Sequence, residues 1–337
     1  LETHRGGNHY WNAPEDISPR AKSKAQRVKS ESVLMRIVII GSGGRLGAAL
    51  LRAYRDKFDV TGFNHTDLDL SDLDRVREKL CAIDFDVAIN AAGFTKVDLC
   101  ETQADHAFLI NAEVPRVFAE ICGQKNARLI HFSTDYVFDG VKREPYTEED
   151  EASPISIYGE SKLAGENNVL AAQGQNLVVR VSWVFGPDRP SFIDAMIQQA
   201  EENEKVEAVA DKFSTPTYTL DIAKMLPQFF VVGGVDAGNP AAVRARGYNG
   251  ILHFANAGQC SWQEYAQWAV NCCYDAGLTL KARTIGPRKL RDMINWVARR
   301  PVYSVLSTAK YTRLTGTAPR TWREAVSDYI TRFYSKK

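Results

Sequence analysis

The sequence lacks the marks of a membrane, metal or nucleic-acid protein. Its 337 residues carry 42 Lys+Arg against 41 Asp+Glu, a formal net charge of +1. That balance offers no field to hold a polyanion, which argues against nucleic acid and charged membrane surfaces as partners. No apolar run approaches the roughly 18 residues needed to span a bilayer. The six cysteines (Cys81, Cys100, Cys122, Cys260, Cys272 and Cys273) form no CxxC pair and no His-linked metal spacing. They read as buried or incidental thiols in a reducing cytoplasm. No internal repeat or low-complexity tract is visible. What is present is ordinary for a soluble globular chain: 45% hydrophobic and 25% charged residues, enough for one large domain or two modest ones.

Residues 1 to 34 differ from the rest. They mix Asn, Pro and Ser with Arg20, Lys22, Lys24, Arg27 and Lys29, and show hardly any apolar periodicity. A secretory signal would need an apolar core, which is missing, and Glu2, Glu15, Asp16 and Glu31 weigh against an organelle transit peptide. A disordered or extraneous extension is the expected reading, with the fold starting at Met35.

From Met35 the pattern changes abruptly. A short apolar, β-branched run to Ile40 leads into Gly41-Ser42-Gly43-Gly44-Arg45-Leu46-Gly47, and a helical stretch, Ala48 to Arg55, follows. A strand, a glycine turn and a helix start make a phosphate cradle. The glycines admit the diphosphate to the backbone, and the helix start presents free N–H groups. A tight turn would use the same glycines; the strand and helix on either side favour the nucleotide reading. Strands then alternate with helices: strands at 58–63, 86–91 and 128–132, helices at 72–83 and 102–122. This alternation predicts an α/β fold with a doubly wound parallel, Rossmann-like sheet. Ligands of such sheets bind beyond the carboxyl ends of the strands.

The second strand ends Gly62-Phe63-Asn64-His65, with no acid until Asp67. An acid at that end would hold a ribose 2′-hydroxyl and repel a 2′-phosphate. Its absence, with Asn64 in place, tilts the cofactor towards NADPH over NADH. Asp69 and Leu70 are candidates to flank the adenine, although Asp69 serves equally well as a cap for the helix starting near Asp72.

The stretch from Ser133 to Lys162 carries the chemistry. Thr134 falls at the end of the 128–132 strand, and Tyr158 and Lys162 lie four apart in a helical segment, 157–171, so they share a face. A free tyrosine, with a pKa of about 10, donates protons poorly. A neighbouring ammonium is expected to lower that value. Chance supplies roughly one such Tyr-Lys spacing in a chain this long; the cradle upstream and Thr134 favour the functional reading over a tyrosine merely packed on a helix.

Further along, a strand at 177–182 ends in Trp183, which either packs in the core or stacks on a ring-shaped substrate. A helix is expected at 191–203, a strand at 206–210, a loop at 211–217 and an inserted, mobile loop at 231–250. A strand at 251–254 and helices at 261–276 and 321–334 complete the chain. The less regular alternation after 186 predicts a dinucleotide-binding core at 35–186. Residues 187–337 then form a mainly substrate-binding smaller lobe, with some elements returning to the core.

Gly41-x-x-Gly44-x-x-Gly47 with Tyr158-x3-Lys162 resembles an extended short-chain dehydrogenase/reductase. Ser133-Thr134-Asp135-Tyr136-Val137-Phe138-Asp139-Gly140, Tyr158-Gly159-x-Ser161-Lys162-Leu163-x-Gly165-Glu166, Arg180-x-Ser182-Trp183-Val184 and Arg300-Pro301-x-x-Ser304-x-Leu306 narrow the resemblance to the dTDP-4-dehydrorhamnose reductase family. It covers residues 35 to about 334. The resemblance implies NAD(P)H-dependent reduction of the C4 ketone of dTDP-4-dehydro-6-deoxy-L-mannose (dTDP-4-dehydrorhamnose) to dTDP-L-rhamnose. Tyr158 would be the proton donor, Lys162 would hold the nicotinamide ribose, and Thr134 would bond the sugar oxygen. Asp135, Trp183 and Val97 would line the sugar pocket. Gly41, Gly44, Arg45, Leu46, Gly47, Asn64, Asp69, Leu70, Gly93, Phe94 and Thr95 would line the cofactor cleft.

Two departures stand out. Asp211-Lys212-Phe213-Ser214-Thr215-Pro216-Thr217 lacks the family's usual Gln after the Asp and Gly before the Pro. Some members dimerise around a magnesium held by glutamates; Leu220 stands at one such place, so no metal is expected, and a homodimer is the candidate assembly. Two rival readings remain. One is a sugar-nucleotide epimerase or dehydratase, which would retain NAD. The other is a non-catalytic module like the regulatory subunit of methionine adenosyltransferase.

Overall fold

The structure, a computed structural model, describes residues 34–230 and 247–335. The expected N-terminal extension, apart from residue 34, and most of the expected insertion at 231–250 lie outside the described residues. The first half alternates strand and helix. In chain order come β1 (Arg36–Ile40), α1 (Arg45–Tyr54), β2 (Asp59–Phe63), α2 (Leu73–Cys81) and β3 (Val87–Asn90). Then follow α3 (Val97–Thr102), α4 (Ala104–Phe108), a π-helical turn (Leu109–Glu113), α5 (Val114–Lys125), β4 (Arg128–Thr134), α6 (Ile157–Ala171) and β5 (Gln175–Val181). The strands join a six-stranded sheet in the order β10-β5-β4-β3-β1-β2, every pairing parallel. Its sixth strand, β10 (Gly250–His253), arrives from late in the chain and pairs with β5.

Burial on both faces explains why these strands read as unbroken apolar runs. Ile37 and Ile39 of β1 face one buried cluster with Ile130, Phe132 and Val179. Val38 and Ile40 face the other, against Val117, Phe118 and Ile121 of α5. Each such side chain contributes about 1.5–3 kcal/mol on burial.

The helix expected at 102–122 is broken. Gln103 leaves helical geometry (φ −130°, ψ 51°), and Leu109–Glu113 widens to a π turn before α5 resumes. Within the π turn Asn111, a buried polar residue, turns inwards. Its Oδ1 accepts from Phe94 N at 2.8 Å, and its Nδ2 donates to Phe94 O and Ser161 Oγ at 3.1 and 3.0 Å.

The remaining elements are β6 (Val184–Phe185), α7 (Phe192–Glu202), β7 (Val206–Val209), β8 (Phe213–Ser214), β9 (Thr217–Tyr218) and α8 (Thr219–Met225). After β10 come β11 (Cys260–Ser261), α9 (Trp262–Asp275), β12 (Ile285–Arg288), α10 (Ala309–Thr315) and α11 (Trp322–Phe333). The segment expected as a plain loop at 211–217 thus holds β8, paired with β11, and the first residue of β9, paired with β6. Helices α7, α9 and α11 enclose a second core with Trp322, Tyr265, Phe185 and Ile193. Among the described residues no helix is long and apolar enough to cross a membrane.

Candidate active site

A cleft of about 700 Å³ opens beyond the carboxyl ends of the sheet strands, a size that suits a ligand pocket. At one end lies the glycine turn. Gly41 is held at φ +83°, and a Cβ there would sit 2.7 Å from Ala92 N; at Gly47 it would sit 2.1 Å from Gly41 O. Larger residues would push α1 off the turn. Gly44 is the N-cap of α1, whose first residue, Arg45, comes three before the expected helix start, with no side-chain cap and no acid in the first turn. The first-turn amides are therefore free to bind an anion. Gly41, Gly44, Arg45 and Leu46 line the cleft, whereas Gly47 lies behind it as the close-packing point. The Arg45 guanidinium crosses to the carbonyls of Val184, Arg189 and Pro190, and Arg189 Nε returns to Gly43 O at 3.0 Å.

Asn64, Asp69, Leu70, Gly93, Phe94 and Thr95 line the same cleft. Asn64 Oδ1 accepts from Thr66 N at 2.7 Å, and the Asp67 carboxylate turns back onto Asn64 N at 3.0 Å. Asp69 does not cap α2: Asp72 does, through Arg75 N, while Asp69 holds a turn with Ser71. The donors and shape of this half fit a dinucleotide: a turn that admits no Cβ, free helix-start amides, and no side-chain acid at the head of α1.

At the other end, β4 delivers Thr134 and α6 delivers Tyr158 and Lys162 into the cleft. Helix α6 spans Ile157–Ala171, as its composition predicts, capped by Ser156 accepting from Gly159 N at 3.3 Å. Tyr158 packs edge-on against Tyr136, centroids 5.5 Å apart. Thr134 Oγ1 accepts from Tyr136 N and donates to Asp135 Oδ1, both at 3.2 Å. The expected lowering of the Tyr158 pKa by Lys162 does not occur. Burial pushes the phenol well above its ordinary value, a hydrogen bond with Thr134 opposes that, and Asp135 adds to it. The Lys162 ammonium instead donates to Phe132 O at 2.7 Å, with His131 Nε2 at 3.4 Å. Burial lowers its pKa to about 8, with Glu166 opposing. His131 is fully buried, and burial together with the neighbouring Lys162 charge keeps it well below the usual imidazole range.

Val97, Asp135 and Trp183 also line the cleft. Asp135 is committed to structure as well: its Oδ2 accepts from Ser214 Oγ at 3.0 Å and Ser304 Oγ at 2.5 Å. Trp183 sits at φ +40°, a strained conformation for a bulky side chain. Its ring stacks 6.2 Å from Tyr265 and meets Trp262 at 5.5 Å, so it serves core packing and the cleft wall together.

Sequence reasoning missed Asn111, His131, Lys212 and the Asp98–Arg300 pair. His131, a polar residue inside the apolar β4, carried a faint signal; Lys212 was visible only as a departure from the family pattern.

A family profile described as the RmlD substrate binding domain matches residues 35–335. A dTDP-4-dehydrorhamnose reductase of Mycolicibacterium smegmatis is 36% identical over 328 residues, 95% of this chain and 91% of the relative. A probable dTDP-4,6-dihydroxy-2-methyloxan-3-one 4-ketoreductase of Streptomyces antibioticus is 36% identical over 297 residues, 87% of this chain and 94% of the relative. The crystal structure of dTDP-4-dehydrorhamnose reductase from Bacillus anthracis in complex with NADP is similar at a TM-score of 0.79 and 30% identity. That match covers 89% of this chain and 99% of the other. A glycine cradle and a Thr-Tyr-Lys cluster in one cleft, on a chain matched nearly end to end, lead to one conclusion: the chain belongs to the RmlD family of sugar-nucleotide reductases.

Proposed function

We propose that the chain reduces the C4 ketone of dTDP-4-dehydro-6-deoxy-L-mannose (dTDP-4-dehydrorhamnose) to dTDP-L-rhamnose, with NADPH preferred over NADH. The observation that carries this reading is the meeting of Thr134, Tyr158 and Lys162 in the cleft that also holds the glycine turn. The bound dinucleotide supplies the hydride. Residues 35–186 would hold that dinucleotide, with the glycine turn and α1 on the diphosphate, Asn64 at the 2′ end and Lys162 at the nicotinamide ribose. Residues 187–337 would mainly hold the sugar nucleotide.

Tyr158 gives its proton to the C4 oxygen. Burial keeps that proton in place at neutral pH until the negative charge developing on the C4 oxygen draws it off. Thr134 orients the oxygen and then shares the charge left on Tyr158.

The test is NADPH and NADH oxidation with enzymatically prepared dTDP-4-keto-6-deoxy sugars, beside Tyr158→Phe. The variant is expected to lose at least about 100-fold in turnover and to keep its NADPH affinity. A variant with wild-type turnover would overturn the role of Tyr158. The Streptomyces antibioticus relative, at the same 36% identity, motivates a second reading: the same ketone reduction on another deoxy sugar. Offering both substrates and assigning the product's stereochemistry by NMR separates the two.

A further inference from the structure

Lys212 carries its ammonium into the protein interior. The residue is fully buried, and its Nζ donates a hydrogen bond to Pro301 O at 3.0 Å. Two aromatic rings also lie close: the Tyr136 centroid is 5.2 Å away and the Trp183 centroid 5.5 Å away, within cation–π reach. Both rings line the cleft, and Tyr136 leans on Tyr158. The Asp135 carboxylate acts on Lys212 through space, so ammonium and carboxylate flank the wall of the sugar end together.

The backbone around Lys212 is pinned. Leu290 N donates to Asp211 Oδ1 and Phe213 N to Val302 O, both at 2.7 Å, and Ser304 N donates to Phe213 O at 2.9 Å. The ammonium is thus held beneath two rings by a rigid frame. Burying a cation with so few acceptors is unfavourable, and an aliphatic chain of equal reach would fill the space without that cost. The charge acts on what surrounds it.

We propose that Lys212 is a positioning residue for the keto-sugar end of the site, its ammonium fixing the Tyr136 and Trp183 rings and balancing Asp135. The proposal rests on the reductase reading. Loss of the charge weakens sugar binding and leaves dinucleotide binding as it was. Burial lowers the pKa of Lys212 to about 8, with Asp135 opposing and Arg300 reinforcing. Arg300 is itself paired with Asp98, and Tyr136 and Tyr158 are the neutral phenols on that side. Lys162 also lies near 8, at the same end of the cleft, but its ammonium faces His131 and Phe132 O; loss of a pH response in Lys212→Gln is what assigns that response to Lys212.

Lys212→Met removes charge and donor, whereas Lys212→Gln keeps a donor for Pro301 O. For wild type and both variants, the KM for the keto sugar, kcat and the NADPH Kd are measured from about pH 6.5 to 9.5. The expected result is a KM about tenfold higher in both variants, an NADPH Kd within about twofold, and loss of the wild-type rise in KM above about pH 8. Tryptophan fluorescence gives a readout that needs no turnover. Wild type is expected to show a transition as Lys212 loses its proton, near pH 8, absent from Lys212→Gln and from Trp183→Phe. A wild-type KM in Lys212→Gln, equal weakening of sugar and NADPH, or no fluorescence transition in wild type overturns the proposal. Failure of wild type to reduce any keto sugar defeats the reductase reading alone, and the fluorescence transition then decides Lys212.

Discussion

Arg300 grips Asp98 with two guanidinium nitrogens, at 2.6 and 3.1 Å, across 202 positions of sequence. The same carboxylate accepts the Val297 and Ala298 amides, each at 2.9 Å. Asp98 lies in α3 next to Val97, and Arg300 precedes the Pro301 carbonyl that receives Lys212. The grip therefore ties the helix that carries the cleft residue Val97 to the segment that holds the Lys212 ammonium.

Asp98→Ala strips four donors of their acceptor and leaves the mostly buried Arg300 without its partner, so it is expected to cost about 2 kcal/mol in urea unfolding. The pH dependence has a definite sign. Arg300 holds the Asp98 carboxyl below the usual carboxylate range, so the unfolded chain takes up the proton first on acidification. The contribution is complete above about pH 4 and disappears as pH falls through the lower folded value. The gap between wild type and variant should close in acid; a constant gap would show that the charge is irrelevant.

Lys162→Met should separate stability from function. The folded pKa of about 8 lies below the ordinary lysine value of about 10.4, so the native ammonium is disfavoured. Between those values the unfolded chain binds more protons, and wild-type stability from this group rises with pH. Removing the amine should stabilise the chain at pH 7 by about 1–2 kcal/mol and abolish turnover. A lowered melting temperature would mean that the bond to Phe132 O outweighs the burial penalty.

Gly47→Ala places a methyl against Gly41 O. Helix α1 must retreat from the turn, at about 2–3 kcal/mol, and the first-turn amides lose their aim. NADPH affinity, read by fluorescence titration, should fall at least about tenfold, while Gly47→Ala with unchanged affinity would detach the turn from the cofactor.

Asn64→Asp keeps the oxygen that accepts from Thr66 N and adds the acid that the end of β2 lacks. A carboxylate there repels a 2′-phosphate, so the ratio of kcat/KM for NADPH over NADH should drop at least about tenfold. An unchanged ratio would put the 2′ end elsewhere.

Local patterns made the sheet legible. A strand buried on both faces is an apolar run, and the glycine turn could be read because Gly41 and Gly47 each answer a nearby steric demand. What escaped depends on partners far along the chain. Nothing in Leu109-Ile110-Asn111-Ala112-Glu113 announces a π turn, within which Asn111 reaches Phe94 and Ser161. Four-residue spacing put Lys162 on the face of Tyr158, yet the direction of its ammonium is set by Phe132 O on β4. Asp135 was legible as a cleft residue, but its ties to Ser214 and Ser304, 79 and 169 positions away, were not.

Those ties order events in time. Synthesis proceeds from the N-terminus, so five of the six sheet strands have been made once residue 181 is reached, whereas β10 and the residues 222–230 that cover one face of the sheet come later. The bonds that tie Arg45 and Gly43 at the glycine turn to the rest of the protein need residues 184–190 as well. The Asp135 carboxylate, which orients Thr134, receives its last hydroxyl only when Ser304 emerges and docks. A chain that stops before that point has the glycine turn but no Ser304 hydroxyl for Asp135. The surroundings of Thr134 are thus finished by one of the last segments of the chain to be made.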